Sequence, residues 1–191
     1  MQQLKLMIIL ASTRPERAGE PIAHWVLDSA RDRDDVDVTF VDLKELALPL
    51  LDEPAHPRLR RYEHEHTKQW SKLVDAAEAF IFVMPEYNHG YTAPLKNALD
   101  YLHHEWVGKP VGFASYGGVA AGTRAVQLLK PVLTCLGMTP LTTAVAVPMV
   151  GERVRDGRFE SSPELDEALG MMLDELLPKY AAAMRPLRAA S

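Results

Sequence analysis

Five consecutive apolar residues, 80–84, run straight into Pro85-Glu86-Tyr87-Asn88-His89-Gly90 and then into a helix-like segment over residues 95–103. A short apolar run without alternation fits a strand covered on both faces. Proline closes the run, and a polar, glycine-bearing turn follows it. A buried strand followed by a helix points to an α/β sheet, and such sheets place ligands in the crevice beyond the carboxyl ends of their strands. The loop here carries an aromatic ring, a carboxylate and an amide. That set suits a flat, hydrogen-bonding cofactor better than a bare phosphate.

The rest of the chain alternates in the same way. Residues 4–10 are apolar apart from Lys5, and residues 36–41 alternate, with Val36, Val38 and Phe40 on one face, as expected of a strand near a sheet edge. Residues 109–115 and 139–147 supply two further strands, which makes five with 80–84. Helical spacing appears over 21–31 (Ile22, Trp25, Val26, Ser29), 65–77 (Trp70, Leu73, Val74, Ala77) and 119–136, where Pro131 should bend the helix. A last stripe comprises Leu165, Ala168, Leu169, Met172, Leu176 and Tyr180. Residues 43–62 contain three prolines and read as an irregular surface connection. With no repeat or linker in sight, residues 1–191 are expected to form one domain: a five-stranded parallel sheet with helices on both faces.

Composition narrows the function classes. A net charge of −5 argues against a nucleic-acid partner, which would need a basic stripe. No apolar run approaches the roughly 20 residues of a membrane span. The N-terminus reads as a first strand rather than a signal peptide, so a cytoplasmic protein is expected. Cys135 is the only cysteine, which rules out an intrachain disulfide and a cysteine-rich metal site. Its neighbours Leu133 and Leu136 suggest a buried core thiol. His64-Glu65-His66 and His103-His104-Glu105 lack the i, i+4 spacing of a helical metal pair and are expected at the surface or a subunit contact. Arg58, Arg60 and Arg61 read as a solvated cluster, and the absence of GxSxG argues against a hydrolase.

Three loops carry the chemistry. The one after the first strand offers Ser12, Thr13, Arg14, Arg17 and Gly19 at a helix start, where backbone N–H groups, the helix dipole and guanidinium groups favour a phosphate dianion. A capped helix start with solvated arginines is the competing interpretation. The loop after the third strand offers Pro85, Glu86, Tyr87 and Asn88, with Asn88 either a cofactor contact or a turn-forming residue. The loop after the fourth strand offers Ser115, Tyr116, Gly117 and Gly118, whose paired glycines let the main chain approach a ring closely.

Pro85-Glu86-Tyr87-Asn88, followed by Leu95-Lys96-Asn97-Ala98 and Asp100, resembles the flavin-contacting loop of the NAD(P)H-dependent FMN reductases. Ser12 and Arg14 match that family's Gly-Ser-x-Arg phosphate loop, with Ala11 at the glycine position. Arg17 stands where some members have serine, and Thr92 where many have proline. The resemblance implies a flavodoxin-like sheet of order 2-1-3-4-5 with FMN at the switch between strands 1 and 3. It implies noncovalent FMN, with the three loops as its site, reduced by NADH or NADPH. A small acceptor such as a quinone, azo dye, metal ion or free flavin then takes the electrons. It also implies a homodimer or homotetramer with the helix after residue 88 in the contact. Tyr101, His103, His104 and Trp106 lie off that helix's apolar stripe of Leu95, Leu99 and Leu102 and fit such an interface. The alternative is a noncatalytic flavodoxin-like electron carrier or FMN-binding module, although the first loop lacks the flavodoxin-type pattern.

Overall fold

Alternating strands and amphipathic helices give a sheet with two apolar faces to cover, and the chain covers both. The computed structural model describes residues 3–176. In chain order the elements are β1 (Leu4–Leu10), α1 (Gly19–Arg31), β2 (Val36–Asp42), the single turn α2 (Leu43–Leu46), α3 (Glu65–Ala76), β3 (Ala79–Pro85) and α4 (Ala93–Asp100). There follow β4 (Pro110–Tyr116), α5 (Thr123–Cys135), β5 (Thr139–Pro140), β6 (Val145–Val147), the single turn α6 (Val150–Arg153), the hairpin β7 (Val154–Arg155) and β8 (Arg158–Phe159), and α7 (Pro163–Glu175). The expected contribution of Tyr180 to the last helix lies outside the described residues. Among the described residues no helix is long and apolar enough to cross a membrane.

The main sheet runs β2-β1-β3-β4-β5, all parallel, in the expected order. Its fifth position departs from expectation. Instead of one strand over 139–147, β5 pairs with the start of β4 and β6 with its end. Leu141 still donates its N–H to Val111 O, and the chain then leaves the edge before rejoining at Val145.

Strand alternation sorts the core. Leu6, Ile8, Leu10, Ile81, Val83, Ala114 and Tyr116 point to the side covered by α1 and α7. Met7, Ile9, Phe80, Phe82, Val111 and Phe113 point to the side covered by α3, α4 and α5. All seven residues of β3 are buried, whereas β2, at the edge, alternates.

Several local expectations need correction. Cys135 is exposed, because the buried face of α5 is Ala125, Val126, Leu129 and Leu133. That helix begins at Thr123 rather than near residue 119, since Ala121 and Gly122 adopt positive φ and interrupt helical continuation. Tyr101 and Trp106 are both 0% exposed and pack inside the chain's own fold, so neither can form an interface face. Trp106 rests on Trp70 and Phe80, and the Tyr101 hydroxyl donates to Asp52. The segment between β2 and α3 is strapped down by α4: Asn97 donates to Pro49 O and accepts from Leu51 N–H. Beyond it, buried Glu105 accepts from Arg60, Tyr62 and Ser71.

Candidate active site at the carboxyl ends of three strands

Parallel strands deliver their following loops to one edge of the sheet, and here β1, β3 and β4 are neighbours. Their loops enclose a cleft of about 320 Å³ lined by Ser12, Arg14, Arg17, Pro85, Glu86, Tyr87, Tyr116, Gly117 and Gly118. Glu16 and Ala18 of the first loop, not among the expected contacts, and Val150, which the sequence did not point to, complete the lining. A larger depression of about 470 Å³ lies near Lys5, Asp37 and Ala77, towards the opposite end of the strands and away from these loops.

Loop 1, residues 11–18, is held by its carbonyls. Thr92 caps α4, accepting from Leu95 N–H, and its hydroxyl donates to Ala11 O (2.9 Å). Arg17 donates to Ser12 O (2.8 Å). Among the described residues, the N–H groups of Ser12, Thr13 and Arg14 find no acceptor in the protein. Arg14 is exposed, has no ion-pair partner among the described residues, and lies 6.0 Å from the Tyr87 ring centroid. The hydroxyls of Ser12 and Tyr87 share a hydrogen bond of 2.9 Å, which ties loop 1 to loop 2.

Arg17 lines the cleft as well, but its guanidinium is already paired. Its guanidinium forms a bidentate ion pair with Asp42, with both side chains nearly buried, and also meets Glu20 at 3.4 Å. The β1–β2 register sets Asp42 opposite Leu10, so the carboxylate arrives beside the start of loop 1. Through these contacts Arg17 clamps loop 1 to the end of β2.

Loop 2 is a two-residue hairpin. Tyr87 and Gly90 exchange N–H···O bonds of 2.9 Å, and Asn88 and His89 both have positive φ, at 50° and 69°. This geometry favours asparagine at a central position, so Asn88 is a turn residue with its side chain outside the cleft lining. Glu86 is fixed by an ion pair with Arg124 at the start of α5. That contact, outweighing burial and helped by the N–H groups of Ala125 and Arg124, holds its carboxyl below the usual range.

In loop 3 the special backbone lies later than the glycine pair suggested. Gly117 and Gly118 have no positive φ; Ala121 (51°) and Gly122 (80°) do. A Cβ on Gly122 would meet Tyr116 N and O at 2.9 Å, whereas one on Gly118 would meet nothing within 4 Å. Ser115 points away from the cleft and donates to Ala121 O (2.8 Å), shaping the loop from below. Thr13 and Gly19 also stay out of the lining.

The cleft therefore offers unpaired N–H groups and the free Arg14 guanidinium on loop 1, the Tyr87 ring beside them, and a glycine wall on loop 3. A phosphate-bearing planar molecule fits that set.

Comparison with known proteins agrees. Residues 4–152 match the family model described as NADPH-dependent FMN reductase. The chain is 39% identical over 168 residues to NAD(P)H-dependent FMN reductase C4B3.06c of Schizosaccharomyces pombe, covering 87% of this chain and 84% of that protein. It is 36% identical over 197 residues to NAD(P)H-dependent FMN reductase LOT6 of Saccharomyces cerevisiae, covering 97% and 99%. In fold it is similar to FerB, a flavoenzyme NAD(P)H:(acceptor) oxidoreductase from Paracoccus denitrificans, with a TM-score of 0.74 at 18% identity over 95% of this chain and 98% of that one. With a sheet of that order, a cleft at that switch point and relatives at those identities, the chain belongs to the NADPH-dependent FMN reductase family, as a flavodoxin-like oxidoreductase working with FMN and NAD(P)H.

Proposed function

We propose that the cleft bounded by the loops after β1, β3 and β4 holds FMN, and that the chain, acting as a single domain, passes electrons from NAD(P)H to a small acceptor such as a quinone, an azo dye, a metal ion or free flavin. The observation that carries this is the convergence at one edge of unsatisfied N–H groups, Arg14, the Tyr87 ring and the glycine wall. Ser12 to Arg14 would hold the phosphate, through N–H groups aided by the α1 dipole and the free guanidinium. Tyr87 would border the ring system, with its hydroxyl fixed by Ser12. Gly118 lets the main chain come close, because no side chain occupies the space before it. The chemistry supplied by FMN when bound is hydride acceptance at N5 from nicotinamide C4 and release of two electrons to the acceptor.

The remaining groups position these. The Arg17–Asp42 and Thr92–Ala11 contacts fix loop 1, and the Glu86–Arg124 pair fixes loop 2 against α5. The cleft shows no base hydrogen-bonded to a nucleophile, which suits a reaction in which the cofactor does the chemistry. A cytoplasmic homodimer or homotetramer belongs to the same proposal.

Cofactor identification after denaturation, followed by anaerobic reduction with NADH and with NADPH, tests the function. Released FMN and direct reduction by at least one dinucleotide are expected. Bound FMN that neither dinucleotide reduces would favour an electron carrier instead, and a colourless protein that takes up no FMN would overturn the assignment.

A further inference from the structure

Tyr116 ends β4 and belongs by sequence to loop 3, yet its ring reaches the start of α1. A Cβ added at Gly19 would fall on the Tyr116 hydroxyl, so glycine at that position makes room for the ring. The residue is 4% exposed and lines the cleft. Its hydroxyl makes no hydrogen bond of good geometry: Ser12 is the neighbour within reach, and the Ser12 hydroxyl is already shared with Tyr87. Native proteins rarely leave a buried hydroxyl unsatisfied without a use for it.

The surroundings define what it could meet. α1 is 13 residues long and its N-cap, Ala18, provides no side-chain cap, so the first N–H groups of the helix lack that partner. Arg14 and Arg17 lie within electrostatic reach of the phenol, and Glu20 in the first turn is turned to Arg17. Burial, with Tyr87 beside it, pushes the phenol above its ordinary range. It stays protonated and can donate to an anion.

We propose that the Tyr116 hydroxyl donates a hydrogen bond to the phosphate of FMN and so helps this chain to distinguish FMN from riboflavin. This rests on the assignment of the cleft to FMN. Tyr116 then belongs to the phosphate end of the site, although its neighbours Gly117 and Gly118 belong to the ring wall. A donor beside the start of α1 that bonds a phosphate dianion adds affinity for FMN and none for riboflavin, which lacks the phosphate.

The test titrates apo-protein with FMN and with riboflavin, read by flavin fluorescence, for the wild type and for Tyr116→Phe, with melting temperature measured alongside. The variant keeps the ring and removes only an unpartnered oxygen, so its melting temperature should not fall. FMN affinity should drop about tenfold or more, the usual effect of losing a hydrogen bond to a charged group. Riboflavin affinity should hold within about twofold, the scatter of a neutral change. A variant that keeps the full wild-type preference for FMN, or that loses both flavins equally, would overturn the role of Tyr116 while leaving the cofactor assignment standing. Wild-type protein that binds neither flavin would instead remove the cofactor assignment, and this proposal with it.

Discussion

Arg14 and Arg17 sit three residues apart on one loop, and their surroundings assign them opposite tasks. Arg14→Ala removes an exposed side chain, so stability should change by no more than about 0.5 kcal/mol. FMN binding should weaken by about 1.5–3 kcal/mol, the contribution of a charge-assisted contact. Arg17→Ala leaves Asp42 buried without its partner and should cost about 3 kcal/mol of stability, the low end for a broken buried pair because Lys44 N–H still bonds the carboxylate. Chemical denaturation and flavin fluorescence on both variants separate the two roles. If Arg17→Ala folds normally and loses only FMN, the clamp is wrong. Sequence placed both arginines on the right loop but could not tell them apart, because Asp42 is distant in the chain and arrives only through the β1–β2 register. Asn88 and Ser115 were legible in principle. The first precedes His-Gly in a turn, and the second alternates with Tyr116 and so faces the other side of the sheet.

Among the elements, the long apolar or periodic ones were readable from the chain, whereas their joints were not. β3 and β4 lie within a residue of their expected bounds because burial on both faces leaves an unbroken apolar run. Loop 3 was misjudged because the run from Val119 continues the α5 spacing, while the hydrogen bonds from Met149 and Val150 N–H to Gly118 and Gly117 hold it open. A pair of substitutions exposes the difference within this one loop. Gly122→Ala forces a side chain into φ +80° and against Tyr116, so it should destabilise the fold by more than about 1 kcal/mol. Gly118→Val meets open space at Cβ, so it should leave the melting temperature nearly unchanged while reducing flavin content. A Gly118→Val protein with wild-type flavin content and reduction rate would mean that loop 3 is not the wall of the site.

On the scale of the whole molecule, assembly depends on what the folded chain leaves outside. Tyr101 and Trp106 are taken up by the core, so of the aromatic face expected after loop 2 only His103 and His104 keep some exposure. The large apolar residues that do stay exposed are spread out: Leu50, Leu51 and Leu59 in the segment after β2, Leu73 on α3, Val119 and Met149 in loops near the cleft, Leu128 on α5 and Met171 on α7. Scattered apolar residues are normal on a monomer, but Leu50 and Val119 stand out at more than four-fifths exposed, and a subunit contact that covers them is expected. Light scattering at micromolar concentration should therefore give at least a dimer mass. Leu50→Asp together with Val119→Asp should lower that mass without lowering the melting temperature, because both side chains are more than four-fifths exposed. A wild-type monomer with full reductase activity would sink the assembly, and an oligomer indifferent to both substitutions would move the contact to another face.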